Sequence, residues 1–113
     1  MNQQEYLELI EKHPNLTTEG FGATEGNFAL RRNELKGQLE NFELCVEWLD
    51  KNPHLEGRRN AHYWKDRVQD DYKPSHPGYF HIPRGVFILA SLYRGLTAEN
   101  MTGSTDAWIS VTE

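Results

Sequence analysis

The sequence predicts a small, mainly α domain: a single-domain bundle of about four helices over residues 1–113, to which a short C-terminal strand could be added. Two observations carry this prediction. Apolar residues recur at helical spacing along residues 27–51, and a second, almost wholly apolar stretch runs through residues 82–96. The length is that of one domain, and five Phe, five Tyr and three Trp residues supply large side chains for its core.

A short amphipathic helix is predicted over residues 3–12. Its apolar residues and its glutamates fall on different sides: Tyr6, Leu7, Leu9 and Ile10 against Glu5, Glu8 and Glu11. The pair His13-Pro14 ends this helix, because the residue before a proline is displaced from helical backbone angles. A loop that contains three glycines follows over residues 16–26.

The longest helix is predicted over residues 27–51. Its apolar stripe recurs at steps of three, four or seven: Phe28, Leu35, Leu39, Phe42, Val46 and Leu49. Asn27 is the expected N-cap, and Asn52-Pro53 is the expected stop. Gly37, inside the helix, costs about 1 kcal/mol relative to alanine, which indicates close approach by another backbone. The stripe would also suit a coiled-coil homodimer, although a core-facing helix is the simpler interpretation.

A third helix is predicted to begin after Asn60, its expected N-cap, and to end at Lys73-Pro74. Its apolar residues lie three or four apart: Ala61, Trp64, Val68 and Tyr72.

The last helix is apolar over most of its circumference, which predicts burial on several sides. Pro83 suits its first turn, and Gly95 followed by Leu96 suits a left-handed C-cap with a hydrophobic contact. Thr97 is expected to cap a further turn over residues 98–101. Residues 105–113 could then add an edge strand or fray.

The formal charge of −5 is unevenly divided along the chain. Residues 1–56 hold eleven acidic and five basic side chains, whereas residues 57–96 hold seven basic and three acidic ones. This division indicates either a basic face for an acidic partner or two halves that attract one another within the fold. The second interpretation is the simpler one.

Cellular location and redox chemistry are constrained by what the sequence contains. Cys45 is the one cysteine, so no disulfide can form within the chain, and the N-terminus lacks the pattern of a secretory signal. The longest mostly apolar run, residues 86–93, is too short to cross a bilayer. A cytoplasmic protein without membrane contact is expected.

No catalytic or cofactor signature is present, so the sequence predicts a protein that is not an enzyme and needs no cofactor. His62, His76 and His81 lie close in sequence, but no paired ligand motif accompanies them, and no metal site is expected. Cys45 lies beside an apolar stripe with no basic cluster near it, which is typical of an inert buried thiol.

A basic segment interleaved with aromatic residues is the main candidate for contacts with a partner or with nucleic acid. Charged side chains of this kind suit phosphates, and the aromatic ones suit bases. Its predicted contact residues are Arg58, Arg59, His62, Trp64, Lys65 and Arg67. Asp66, Asp70 and Asp71 lie within the same segment, residues 58–73, and would repel a phosphate backbone.

The start of the last helix is a candidate anion-binding site. Free N–H groups of the first turn would act with Gly85, Arg84 and His81. In the alternative interpretation, Gly85 permits tight packing of another element and Arg84 is a solvated surface charge.

A further candidate surface is the acidic face of the long helix, which could meet a basic partner or imitate a phosphate backbone. Its residues are Glu34, Glu40, Glu43, Glu47 and Asp50. The alternative is a solvated helix face.

Residues 61–96 resemble a family of small uncharacterised proteins of bacterial phages and other mobile elements. That family has a tyrosine-rich helix followed by a turn that opens an apolar helix ending in Gly-Phe. The matching positions here are Tyr63, Lys65, Ile82, Gly85, Phe87, Ile88, Ala90 and Gly95-Leu96. Pro83-Arg84 replaces a Ser-Asn pair of the family pattern. The resemblance implies a mobile-element context and no activity.

We therefore expect a non-enzymatic phage or mobile-element interaction protein. It would bind, and could inhibit or regulate, a host protein or nucleoprotein complex. The alternative is a nucleic-acid-binding regulator that uses residues 58–73.

Overall fold

The computed structural model describes residues 1–55 and 57–110. These residues form α-helices and short antiparallel strands. The helices are α1 (Gln3–Glu11), α2 (Phe28–Leu35), α3 (Leu39–Lys51), α4 (Ala61–Tyr72) and α5 (Arg84–Tyr93), with a 3-10 turn over Lys73–Ser75. The strands are β1 (Leu16–Thr17), β2 (Gly20–Phe21), β3 (Arg59–Asn60), β4 (Thr97–Asn100) and β5 (Ala107–Ser110). The described fold is mixed α/β, so the prediction of a helical bundle is only partly right.

Helix α1 forms where the sequence predicts it. A capping box starts it: the Asn2 side chain accepts from the backbone N–H of Glu5, and the Glu5 carboxylate accepts from the backbone N–H of Asn2. At the C-terminal end of α1 and in the loop that follows, the Arg32 guanidinium donates hydrogen bonds of 2.8–3.0 Å to the carbonyl oxygens of Ile10, His13 and Leu16.

The predicted long helix is instead two helices, α2 and α3, which are separated near Gly37. In an unbroken helix the carbonyl of Leu35 would accept from the N–H of Leu39. Here the hydroxyl of Tyr6 donates to that carbonyl at 2.6 Å, and the glycine adds low helix propensity. The expected backbone approach at Gly37 is wrong, since the nearest atom to an added Cβ is the Glu34 oxygen at 3.6 Å.

Helix α5 is the centre of the core, as predicted. Every residue from Gly85 to Ser91 is buried, and α3 and α4 pack against this helix. Gly95 adopts a φ of +79°, and the N–H of Leu96 donates to the carbonyl of Ser91 at 2.9 Å, which confirms the predicted C-cap. Pro83 lies just before the first turn, as its N-cap residue.

The C-terminal region forms most of a three-stranded antiparallel sheet in the order β3-β5-β4. Residues 97–100 are strand β4, so the predicted helical turn after Thr97 is wrong. Strand β5 pairs with β3 on one side and β4 on the other, so it is the central strand and not the predicted edge strand. Ala107 and Ile109 alternate inward on it and are buried. Residues 111–113 of the predicted strand lie outside the described residues.

Candidate functional site

The predicted basic residues of strand β3 and helix α4 face two different surfaces. Arg59 of β3 and Arg67 of α4, each four residues from Tyr63 in the sequence, both lie near its ring. His62 and Lys65 instead face a polar groove, which they share with His81 and Arg84. The predicted contact residues therefore lie on two surfaces, and His62 and Lys65 lie in the same groove as His81 and Arg84 of the predicted anion site.

The first surface, here called the arginine-aromatic face, consists of Arg58, Arg59, Tyr63, Arg67 and Trp108. The Cζ atoms of Arg59 and Arg67 lie 4.7 Å and 5.9 Å from the centroid of the Tyr63 ring. Arg58 lies 5.0 Å above the ring of Trp108 and pairs with Glu99 at 2.9 Å. Guanidinium groups are held in defined orientations by such stacking.

Strand pairing creates this face. Asn60 of β3 pairs with Trp108 of β5, and this register carries the tryptophan to the start of α4. The side chain of Asn60 also accepts from the N–H of Tyr63 at 2.8 Å, which confirms it as the N-cap of α4.

Arg59 and Arg67 are exposed and form no ion pair with any acidic side chain in residues 1–55 or 57–110. Within the described residues, each guanidinium group has a cation-π contact with the ring of Tyr63. These two exposed guanidinium groups thus carry charges that no ion pair within the described residues compensates.

A cleft of about 290 Å³ borders the arginine-aromatic face. Its lining combines apolar walls with a polar rim: Trp48, Leu55, Tyr63 and Trp64, with Asn52, His54, Arg59 and Arg67. The indole N–H of Trp48 donates to the Asp71 carboxylate at 2.6 Å. The buried indole N–H of Trp64, in contrast, has no hydrogen-bond partner in the described part of the chain.

Trp64 and Lys65, two of the predicted contact residues, are largely buried, and their contact with a partner stays a prediction. Trp64 is 8% exposed and Lys65 is 6% exposed, because both lie on the side of α4 that packs toward the core. Trp64 is a wall of the cleft, and only a small part of Lys65 reaches the polar groove.

The polar groove has a volume of about 520 Å³ and is lined by side chains from several segments. They are Thr18, Glu19, Arg31, Glu34, Gln38, His62, Lys65, His81, Pro83 and Arg84. The Lys65 ammonium lies 3.0 Å from the Asp66 carboxylate and donates to Gln69 at 3.1 Å. His62 lies 3.4 Å from that same carboxylate, and burial together with the charge of Lys65 lowers the pKa of His81. The charges of the groove are largely compensated within the fold.

Arg84 and Gly85, from the predicted anion site, make contacts within the protein. Arg84 donates to the carbonyl of Glu19 at 2.7 Å and to the hydroxyl of Thr105 at 2.6 Å. The N–H of Gly85 donates to the carbonyl of Thr18 at 3.0 Å. Anion binding here stays a prediction, and its main donors are already used.

Replacement of Arg84 by methionine is expected to lower the free energy of unfolding by about 2 kcal/mol, since two part-buried hydrogen bonds are lost. It also leaves the buried Asp106 carboxylate without the guanidinium that lies 3.9 Å away. Urea denaturation measures this effect. Arg31→Met, which removes the surface ion pairs to Glu34 and Glu19, is the control and is expected to cost less than about 1 kcal/mol. Equal costs for the two variants would show that Arg84 is only a surface charge.

The predicted acidic face is present on the exposed side of α3, with Glu34 on α2. Much of it is paired internally: Glu47 with Lys51 and Asp50 with Arg94, each at 2.8 Å. Hydrogen bonds from Lys51 and Tyr72 lower the pKa of Glu47. This face therefore offers fewer free charges than the sequence indicates.

No group of three or more His, Cys, Asp or Glu side chains within the described ranges is arranged to hold a metal ion. His76 stacks on Phe80 with ring centroids 4.5 Å apart, away from the groove that contains His62 and His81. Cys45 is fully buried, and burial raises the pKa of its thiol.

None of the helices in the described residues is both long enough and apolar enough to cross a membrane.

Tyr63 and Trp108 belong to the arginine-aromatic face but are not among the predicted contact residues. The spacing of Arg59, Tyr63 and Arg67 is a signal from which Tyr63 could be found. Trp108 lies 45 residues beyond Tyr63, and no local pattern connects the two.

Comparisons with models of protein families, with curated proteins and with solved structures gave no match. The resemblance to mobile-element proteins therefore stays a prediction.

Proposed function

We propose that this chain is a non-enzymatic interaction protein that binds a protein partner, alone or within a nucleoprotein complex, through the arginine-aromatic face. One observation carries the proposal: two exposed guanidinium groups lie against Tyr63 without an acidic partner in the described chain. Arginine, tyrosine and tryptophan are enriched at the energetically important positions of protein interfaces. Stacking on Tyr63 also reduces the side-chain entropy that binding would remove.

A protein partner is favoured over nucleic acid by the charges around this face. Asp70 and Asp71 follow Arg67 along α4, and Glu99 already pairs with Arg58. A phosphate backbone favours a continuous row of cations, because each neutralised phosphate adds to the affinity. The short group of arginines suits a compact acidic patch better.

The mobile-element context implied by the resemblance would make the partner a host protein or nucleoprotein complex. Inhibition or regulation of that partner would then follow from occupation of its surface. The contact itself requires no catalytic group of this chain.

The proposal is tested by affinity capture from the source cell with the wild-type protein and with the double variant Arg59→Gln/Arg67→Gln. The captured partner is then purified and its dissociation constant measured. We expect at least about a tenfold loss of affinity for the double variant, which corresponds to about 1.4 kcal/mol. Arg94→Gln is the matched control, because Arg94 also stacks on a tyrosine, Tyr93 at 5.1 Å, but pairs with Asp50.

Two outcomes would contradict the proposal. Equal affinity of the partner for the double variant and the wild type would exclude this face as the contact. Salt-dependent retention on single-stranded or duplex DNA that is lost in the double variant would instead favour the nucleic-acid-binding regulator.

A further inference from the structure

We propose that the cleft beside the arginine-aromatic face binds an aromatic side chain from an acidic segment of the partner, whose flanking carboxylates lie on Arg59 and Arg67. This inference rests on the proposed function and specifies the chemistry of the partner. The occupant is an acidic peptide segment that contains one aromatic residue.

The size of the cleft favours a side chain over a whole small molecule. Its volume of about 290 Å³ lies at the lower limit of the range for pockets that enclose drug-sized ligands. An open cleft of this size suits one large side chain whose backbone stays outside, near the polar rim.

The walls suit an aromatic ring. Trp48 and Trp64 have ring centroids 6.2 Å apart, and Tyr63 meets Trp64 edge-to-face at 5.0 Å. Tilted and edge-to-face arrangements of this kind gain further stabilisation from an additional ring. The aliphatic side chain of Leu55 adds apolar area to the same lining.

The rim favours negative charge beside that ring. Arg59 and Arg67 line the cleft, and neither has an ionic partner among the residues that the structure describes. Carboxylates of a ligand can form bidentate hydrogen bonds with guanidinium groups, and a basic segment would be repelled.

A second feature lies in the cleft wall, where the buried indole N–H of Trp64 has no hydrogen-bond partner among the described residues. A buried donor without an acceptor costs about 1–3 kcal/mol, so such groups are rare in folded proteins. Because the Trp64 ring lines the cleft, an aromatic side chain that enters lies against this indole and changes the environment of its N–H. The indole N–H resonance of Trp64 is therefore a direct reporter of occupancy.

The test uses the full chain and a blocked peptide of sequence Glu-Asp-Phe-Glu-Asp. Binding is followed by the indole N–H signals of Trp48 and Trp64 in ¹⁵N-labelled protein. We expect saturable shifts with a dissociation constant below about 1 mM. Peptides with Gln and Asn in place of the acids, or with Ala in place of Phe, are expected to bind at least about tenfold more weakly. Arg59→Gln/Arg67→Gln should abolish the shifts, and Arg94→Gln should leave them unchanged.

The outcomes separate this inference from the proposed function. If the captured partner needs Arg59 and Arg67 but the acidic peptide causes no indole shift, the inference fails and the proposed function stands. If the peptide binds as predicted but the captured partner does not depend on the two arginines, the proposed function fails. Equal binding of the acidic and neutral peptides, or stronger binding of an oligothymidylate than of the peptide, would overturn the inference.

Discussion

Replacement of Gly85 by alanine is expected to prevent folding or to lower the free energy of unfolding by at least about 3 kcal/mol. A Cβ atom at this position would lie 1.7 Å from the carbonyl oxygen of Thr17. The backbone cannot withdraw easily, because the N–H of Gly85 donates to the carbonyl of Thr18 at 3.0 Å. Urea denaturation followed by far-ultraviolet circular dichroism measures the loss.

Gly37→Ala is the matched control for Gly85→Ala. An added Cβ there has only the Glu34 oxygen at 3.6 Å, an ordinary contact distance, and the φ of Gly37 is not positive. Alanine is therefore expected to leave stability unchanged or to raise it by about 0.4–1 kcal/mol. Wild-type stability of Gly85→Ala would show that the β1-β2 hairpin does not pack on α5 as described.

Replacement of Gly20 by alanine is the second large effect, again at least about 3 kcal/mol. Gly20 has a φ of +129°, and an added Cβ would lie 2.0 Å from the carbonyl oxygen of Thr105. That carbonyl also accepts from the N–H of Phe21 at 2.8 Å, so movement of the loop breaks a hydrogen bond. The change in melting temperature and in urea midpoint measures the effect.

Gly22→Ala separates backbone strain from steric overlap. Gly22 also has a positive φ, +86°, but no atom lies within 4 Å of an added Cβ. Strain alone should cost about 1–2 kcal/mol. If Gly20→Ala cost no more than Gly22→Ala, the close contact with Thr105 would be contradicted.

The close packing at Gly20 and Gly85 shows that residues of the predicted anion site make structural contacts within the domain. The hairpin packs on the first turn of α5 at Gly85 and on the 105–106 loop at Gly20. Arg84 connects the same two regions through Glu19 and Thr105. The packing interpretation of Gly85 is confirmed, whereas the solvated interpretation of Arg84 is wrong because its guanidinium is bonded inside the protein.

Local signals in the sequence were sufficient for several elements. The N-cap at Asn60, the C-cap at Gly95 and the apolar circumference of α5 each act within a few residues of the backbone that they determine. The N-cap depends on a short-range hydrogen bond, the C-cap on a backbone angle, and the burial of α5 on the spacing of its apolar side chains.

Other features of the fold depend on contacts between residues that are far apart in the sequence. The break between α2 and α3 depends on the Tyr6 hydroxyl, which takes the Leu35 carbonyl from 29 residues away. The central place of β5 and the position of Trp108 beside Arg58 arise from strand pairing across most of the C-terminal half.

The amino-acid sequence alone shows which residues of the basic segment are charged or aromatic, and the N-cap at Asn60 predicts that those from Ala61 onward lie on a helix. Which of these charges are neutralised follows only from the folded structure. Lys65 and His62 face Asp66, whereas Arg59 and Arg67 are left on the ring of Tyr63. The physical reason is that charge compensation depends on distances of a few ångströms in space, and these follow from packing.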